Sequence, residues 1–222
     1  MKTRHYFLII ICFLFVTCAG GIYFRTTLSP LDWDSVKECA RVGILQDEIA
    51  VDTIENMATS LENQNVILAV ECLEEPQILY KNIIQKVRVK KCFQGTVEEG
   101  AEIHILQVNN IYLSDDNGMI KSGQIQDINM SFTNVFSVGK TYLVFLDEEI
   151  ENYPVAHTYC KGDDYLMKPF FCYEELTCSP EDSSFGGVKY ERVAQNEFFL
   201  EEQGLGAMLE LKQQLLLSYP LQ

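Results

Sequence analysis

At 222 residues, with 47% hydrophobic and 22% charged residues, the chain is long enough for one well-buried domain and too apolar for a disordered one. It carries 17 Lys and Arg against 32 Asp and Glu, a formal charge of −15. A field of that sign repels phosphate backbones and anionic headgroups, which argues against nucleic acid or an acidic lipid surface as the ligand.

The first 24 residues stand apart from the rest. Lys2 and Arg4 precede an uncharged run from Tyr6 to Phe24, YFLIIICFLFVTCAGGIYF. An uncleaved membrane anchor fits its length, since about 20 apolar residues at 1.5 Å each span the hydrocarbon layer. Tyr6, Phe7, Tyr23 and Phe24 would then form aromatic belts, and Lys2 and Arg4 would keep the N-terminus cytoplasmic. A cleaved signal peptide fits the basic start, the apolar centre and the small residues at Ala19 and Gly20. Lipid attachment at Cys18 is a third reading, with Phe15-Val16-Thr17 a poor approach to such a cysteine. All three place residues 25–222 outside the cytoplasm, as a single-pass membrane protein with an extracytoplasmic C-terminal domain or as a secreted one. With Lys2 and Arg4 set aside, 15 basic and 32 acidic residues remain, a formal charge of −17 that serves solubility outside the cell.

Residues 25–33 are short, polar and broken by Pro30, as a tether is. DSVKECARVGIL, 34–45, has a modest helical pattern. In DTIENMATSLENQ, Asp52 and Glu55 stand three apart like a capping box, and Ile54, Met57, Ala58 and Leu61 recur at helical spacing, so 34–62 is expected to be a helical lead-in. The period then changes. NVILAVECL is an unbroken apolar run rich in β-branched residues and predicts a central strand. Beyond Glu74-Glu75-Pro76, Ile83, Val87, Val89 and Phe93 are expected on one face of a strand, with Lys86, Arg88 and Lys90 on the other. EIHILQV, 102–108, predicts a third strand, Asn117-Gly118 a tight turn, and Ile125 to Phe132 a weak strand. Tyr142 to Leu146 is apolar on both faces and predicts a deep strand; Asp164–Cys172 and Gly187–Val193 are further candidates. At the end, Leu205, Met208, Leu209, Leu215, Leu216 and Tyr219 mark one face of a helix over 204–220, stopped by Pro220 and expected to cover the outside of a sheet. No internal repeat or linker divides 34–222, which reads as one domain.

Cys12 and Cys18 sit in the apolar segment, leaving Cys39, Cys72, Cys92, Cys160, Cys172 and Cys178. Six cysteines allow fifteen pairings. Cys172 and Cys178, in CYEELTC, are close enough to close a short disulfide loop, whereas Cys72 and Cys92 fall in strand-like runs where a thiol serves as a small buried hydrophobe.

Reaction chemistry is thinly represented. Of three histidines, His5 precedes the apolar segment and His104 alternates within a strand. His157 and Cys160, with Cys172 and Cys178, have the atom types for zinc, but their spacing matches no ligand knuckle. No G-x-S-x-G phrase and no phosphate-cradling glycine loop is present, and Asp115, Asp116 and Asn117 lack the downstream glutamate of a calcium loop. No catalytic residue, metal or cofactor is expected. Phe170, Phe171 and Tyr173 in KPFFCYEEL, like Phe198 and Phe199 in NEFFLEE, belong either to the core or, facing outward, to an interaction patch.

Short, mostly antiparallel strands tend to close into a small barrel or pack as a sandwich, because closure removes exposed edges. The order of NVILAVECL, KVRVKKCFQGTVEEGAEIHIL and VGKTYLVFLDEE resembles the netrin-module, or tissue-inhibitor-of-metalloproteinase-like, family of OB-fold domains of exported bacterial proteins. The likeness rests on Val87, Val89, Phe93, Gly95, Gly100, Glu102, Ile103, Ile105, Gly139, Lys140, Tyr142, Leu143, Val144 and Phe145, within residues 53–148. It implies a small OB-like antiparallel β-barrel over 64–200 with flanking helices, mainly β, behind an N-terminal hydrophobic helix. Gln94 stands where the family has lysine, and a hydrophobic segment replaces the free N-terminal cysteine of the protease-inhibiting members, so inhibition does not carry over. The function expected is non-catalytic binding or scaffolding by an anchored domain, with a protein partner at the cell surface, the membrane engaged through 6–24, and no nucleic acid. A metal-dependent hydrolase centred on His157, Cys160, Cys172 and Cys178 is the alternative.

Overall fold

The computed structural model describes residues 2–27, 33–79, 82–108, 110–112, 127–161, 169–182 and 187–221. Helix α1, Lys2–Thr27, covers the apolar N-terminal stretch. Its described side chains run from Ile10 to Tyr23, Cys12 apart. Among the described residues no helix is long and apolar enough to cross a membrane.

Helix α2, Trp33–Cys39, ends six residues short of the helix expected over 34–45. The Ala40 carbonyl, which a longer helix would use, instead accepts the N–H of Tyr190 at 2.8 Å. The chain continues as strand β1, Arg41–Val42. Helices α3, Asp47–Glu55, and α4, Met57–Glu62, follow, separated at Asn56. The expected capping box is not one: Asp52 lies inside α3, which begins five residues earlier. Its first N–H, on Asp47, donates to the Glu201 carboxylate at 2.9 Å, so the cap comes from 154 residues away.

Seven strands form the principal sheet: β2, Val66–Cys72; β3, Gln77–Leu79; β4, Asn82–Gln94; β5, Glu102–Val108; β8, Thr141–Glu149; β9, Thr158–Lys161; and β10, Phe171–Cys172. The order is β10-β8-β2-β4-β5-β9, with β3 beside β4 and a further pairing of β9 with β8. β5 and β9 run parallel; the other pairings are antiparallel. Strands β6, Asn110–Tyr112, and β7, Asp127–Asn129, join β1 and β11, Val188–Lys189, in a second sheet ordered β11-β1-β7-β6. A one-turn helix α5, Tyr190–Val193, follows β11, and α6, Glu202–Ser218, closes the chain. The architecture is mixed α/β, about a third helical, rather than mainly β. The strand candidates at 164–172 and 187–193 shrink to Phe171–Cys172 and Val188–Lys189, with Tyr190–Val193 helical. Residues 164–168 and the Asn117-Gly118 turn lie outside the described residues.

β2 and β8 are apolar on both faces because each face meets a different core. Leu68, Val70 and Cys72 of β2 and Tyr142, Val144 and Leu146 of β8 pack with Val87, Val89, Ile103, Ile105 and Phe136. Ile67, Leu143 and Phe145 turn the other way, onto α3, α4 and α6. Helix α6 therefore covers the outside of the sheet, as its pattern suggests, but through Leu205, Met208, Leu211 and Leu215; Leu209 is exposed. The β2–β4 register slips twice, passing over Lys90 and Phe93. A bulge inverts the faces that follow it, so Phe93 packs with the helices while Val87 and Val89 face the other core. This corrects the expectation that Ile83, Val87, Val89 and Phe93 share a face; Ile83 packs in a third cluster, with Trp33 and Val42.

Gly204 marks the tightest crossing of α3 and α6. A Cβ there would stand 2.6 Å from the Cβ of Ala50. The two helix starts also cap each other. Asp47 Oδ1 accepts the Gly204 N–H at 2.8 Å, while Glu201 accepts the Asp47 N–H. Two carboxylates thus sit at two positive helix ends.

Candidate functional site

The side chains named from sequence are scattered by the fold. Phe170 and Phe171 do not form an outward patch: both are buried, and because successive residues point to opposite faces of a strand, they enter different cores. Tyr173 is half-buried, and its hydroxyl donates to the Tyr219 carbonyl at 2.7 Å. Phe198 and Phe199 are buried as well.

Cys172 and Cys178 are free thiols, not a disulfide. Cys172 packs with Phe170 on one side of the sheet, and Cys178 packs with the helices on the other. The short spacing is defeated by the sheet between them. The Cys172 thiol donates to Glu174 Oε2 at 3.0 Å. Burial, reinforced by the Glu174 carboxylate, pushes it up to about 12. Burial also lifts Cys72 to about 12 and raises Cys178. Thiols of this kind carry little thiolate, the form that attacks or binds metal.

The four residues of the metal reading are not brought together. His157 Nδ1 lies 3.1 Å from Glu149 Oε1 at one end of β8, and Cys160 is on the adjoining β9. Cys172 sits beside Tyr142 at the other end of β8, seven residues and roughly 23 Å of strand away. Among the described residues no group of three His, Cys, Asp or Glu is placed to hold a metal ion. His104 is a strand residue opposite Lys86, its Nδ1 3.2 Å from the Ala156 carbonyl.

The basic face of β4 is spent on ion pairs. Lys86 and Arg88 reach Glu102 at 2.6 and 2.9 Å, and Lys90 reaches Glu71 at 3.3 Å. Hydrogen bonds from Lys86 and Arg88 draw the Glu102 carboxyl down to about 2.

What the structure does assemble is a cleft of about 160 Å³ where segment 134–137 meets 175–177 and 194–197. The buried Tyr142 and Phe170, edge to face with centroids 5.9 Å apart, are among its lining residues. Glu197 forms part of the lining, yet its side chain is only 2% exposed. One carboxylate oxygen accepts the Cys172 N–H at 2.7 Å; the other accepts Lys212 Nζ, from α6, at 2.6 Å. Burial pushes the Glu197 carboxyl above the usual carboxylate range, against the opposing pull of Lys212. Tyr142 is likewise raised by burial, and its hydroxyl accepts the Ser137 N–H at 2.9 Å.

Two asparagines hold the rim. Asn134 Nδ2 donates to the carbonyls of Ala194 and Asn196, while its Oδ1 accepts from the Tyr190 hydroxyl. Asn196 Nδ2 donates to the Ser179 carbonyl at 2.9 Å. Backbone bonds from Glu197 to Thr177 and from Asn134 to Glu197 complete the frame. A buried acid with a perturbed pKa in a cleft makes this a candidate functional site. Asn134, Asn196 and Glu197 escaped the sequence reading. The sole signal was a charged residue set directly against Phe198-Phe199, a place where an unpaired carboxylate would be costly. Compared with models of known protein families and with curated proteins, the chain matches none.

Proposed function

We propose that the chain is a membrane-anchored, extracytoplasmic binding or scaffolding protein on an OB-like β-barrel, without catalytic machinery. The pairings β8-β2-β4-β5-β9-β8 return to their start, with β5 and β9 parallel, a circuit that supports a closed five-stranded barrel. Leu68, Val70, Val89, Ile105, Val144 and Leu146 supply an interior that such closure would enclose. Anchoring is proposed from the apolar run Tyr6–Phe24 and the basic residues before it.

The observation that carries the binding reading is the cleft at Glu197. It is concave and framed by fixed polar groups, with the buried Tyr142 and Phe170 among its lining residues. Glu197 is held by Lys212 and a backbone N–H, and the neighbouring Cys172 is a raised thiol bonded to Glu174.

Two measurements test the reading. Full-length protein is incubated with a panel of ester, peptide and glycoside substrates, with no turnover above the blank expected; turnover lost on heat denaturation would refute it. Cross-linking on intact cells is expected to yield a discrete adduct with an extracytoplasmic protein, and protection of the C-terminal domain from external protease would refute the placement.

A further inference from the structure

Glycine weakens a helix interior, because it loses more backbone freedom on folding than any other residue. Helix α6 carries two glycines. Gly204 is accounted for by the crossing with α3, where a Cβ would stand 2.6 Å from that of Ala50. Gly206 has no such partner in the chain: a Cβ there meets nothing within 4 Å, and the residue is exposed. It lies on a stripe with Leu209, Gln213 and Leu217, at i, i+3, i+7 and i+11, the spacing of one helix face. All four are exposed, Leu209 to 37% and Leu217 to 76%. The stripe therefore turns two leucines to solvent beside a spot where another backbone can approach closely.

The flanks of this face are acidic. Glu202 and Glu210 border the stripe, and α3, packed on α6 at Ala50, presents Glu48, Asp52 and Glu55; all five are exposed. Lys212 is the one Lys or Arg in α3, α4 and α6, and it is turned inward onto Glu197, 13% exposed. Lys91, beside the end of α6, is bonded to the Pro220 carbonyl. Two copies of α6 laid face to face would set like charges against each other, whereas a cationic partner gains from the same carboxylates.

We propose that the outer face of α6 docks an amphipathic helix of a partner protein that carries Lys and Arg along the edges of its apolar stripe. Leu209 and Leu217 are the apolar anchors, Gly206 is the point of closest backbone approach, and Glu202 and Glu210 fix orientation. At 17 residues α6 is about 26 Å long, which suits a partner helix of about four to five turns. This surface is separate from the Glu197 cleft, and the proposal takes from the binding reading only that a protein partner exists.

The test uses full-length protein in nanodiscs of zwitterionic lipid, with empty discs as reference. Three labelled peptides of about 18 residues are titrated by fluorescence anisotropy: a designed helix with leucine on one face and lysine at its edges, its Lys-to-Glu counterpart, and a scrambled peptide of the same composition. The lysine helix is expected to bind with a Kd on the order of 10 μM, at least about tenfold tighter than either control, and to weaken about fivefold as salt is raised. Gly206→Leu, and separately the pair Leu209→Gln with Leu217→Gln, should each weaken it about tenfold without loss of thermal stability. Glu202→Gln with Glu210→Gln should weaken it about threefold and reduce the salt dependence. Glu98→Gln with Glu148→Gln, the same charge change on exposed residues elsewhere, should leave it unchanged. Equal binding of the three peptides, unchanged affinity in Gly206→Leu, or equal effects of the two carboxylate pairs would overturn the proposal. So would a concentration-dependent dimer of detergent-solubilised protein that Leu217→Gln abolishes, which assigns the face to a second copy. None of these outcomes touches the substrate panel or the cross-linking on cells, so the binding reading is judged apart from it.

Discussion

Replacing Lys212 by alanine removes the cation held against the Glu197 carboxylate. Lys212 is 13% exposed and Glu197 2%, and their atoms lie 2.6 Å apart. Breaking a buried pair by deleting one partner costs about 3–5 kcal/mol, because the remaining charge keeps its desolvation penalty and loses its compensation. At roughly 2–4 °C per kcal/mol for a domain of this size, the melting temperature should fall by about 6–20 °C. The loss should depend on pH with a definite sign. Glu197 is already raised above its unfolded value of 4.5 by burial, and Lys212 opposes that rise. Without Lys212 the folded carboxyl climbs further. The deficit therefore opens as pH rises through the wild type's raised folded value toward the variant's higher one, and is closed at pH values below both, where the carboxyl is protonated in both folded proteins. Urea unfolding of wild type and variant at pH 7 and near pH 4 measures both. A deficit under 1 kcal/mol at pH 7, or one equal at both pH values, would refute the reasoning. The double variant Glu197→Gln with Lys212→Met serves as the control and should restore most of the stability, since a buried pair is readily replaced by neutral groups of its own shape.

Three further outcomes are expected. Gly204→Ala places a Cβ 2.6 Å from that of Ala50 and should cost about 1–3 kcal/mol, whereas Gly206→Ala meets nothing within 4 Å and should gain about 0.5–1 kcal/mol as a helix-interior substitution; chemical denaturation of the two variants side by side decides it. Cys72 and Cys172, both raised from 9.0 to about 12, should carry about a thousandfold less thiolate at pH 8 than in unfolded protein; alkylation followed by mass spectrometry should find them labelled only after denaturation, and native labelling at the unfolded rate contradicts this. Glu102 is lowered from 4.5 to about 2, so the stability it lends is present above 4.5 and is lost as pH falls through 2. Glu102→Gln should flatten the acid limb of the stability profile over that window, and an unchanged slope would show that the pairs with Lys86 and Arg88 do nothing.

The strands were legible where one residue type dominated both faces or alternated strictly. Val66–Val70 and Tyr142–Leu146 declared central strands because the runs are too short for a helix, and they are apolar on both faces because two cores meet there. Faces were misjudged where the backbone departs from regular pleating. The bulges at Lys90 and Phe93 turn Phe93 away from Val89 with no change in the residue pattern. The capping box at Asp52 and Glu55 was a local signal overruled by a distant one, the Glu201 carboxylate at the start of α3. The Cys172–Cys178 loop failed for the same kind of reason, as six residues of sequence carry no record of the sheet that passes between the two thiols.

By itself the sequence determined the acidic field, the apolar N-terminal run, the deep strands and the helix that covers them, all of which follow from charge and from periodicity within a short window. Only the tertiary structure decided the return of β9 to β8, the mutual capping of α3 and α6, and the convergence of Tyr142, Phe170, Asn134 and Glu197 on one cleft. Those features join residues from 10 to more than a hundred positions apart. Periodicity reports which face of an element is buried; it holds no information on which other face will be laid against it.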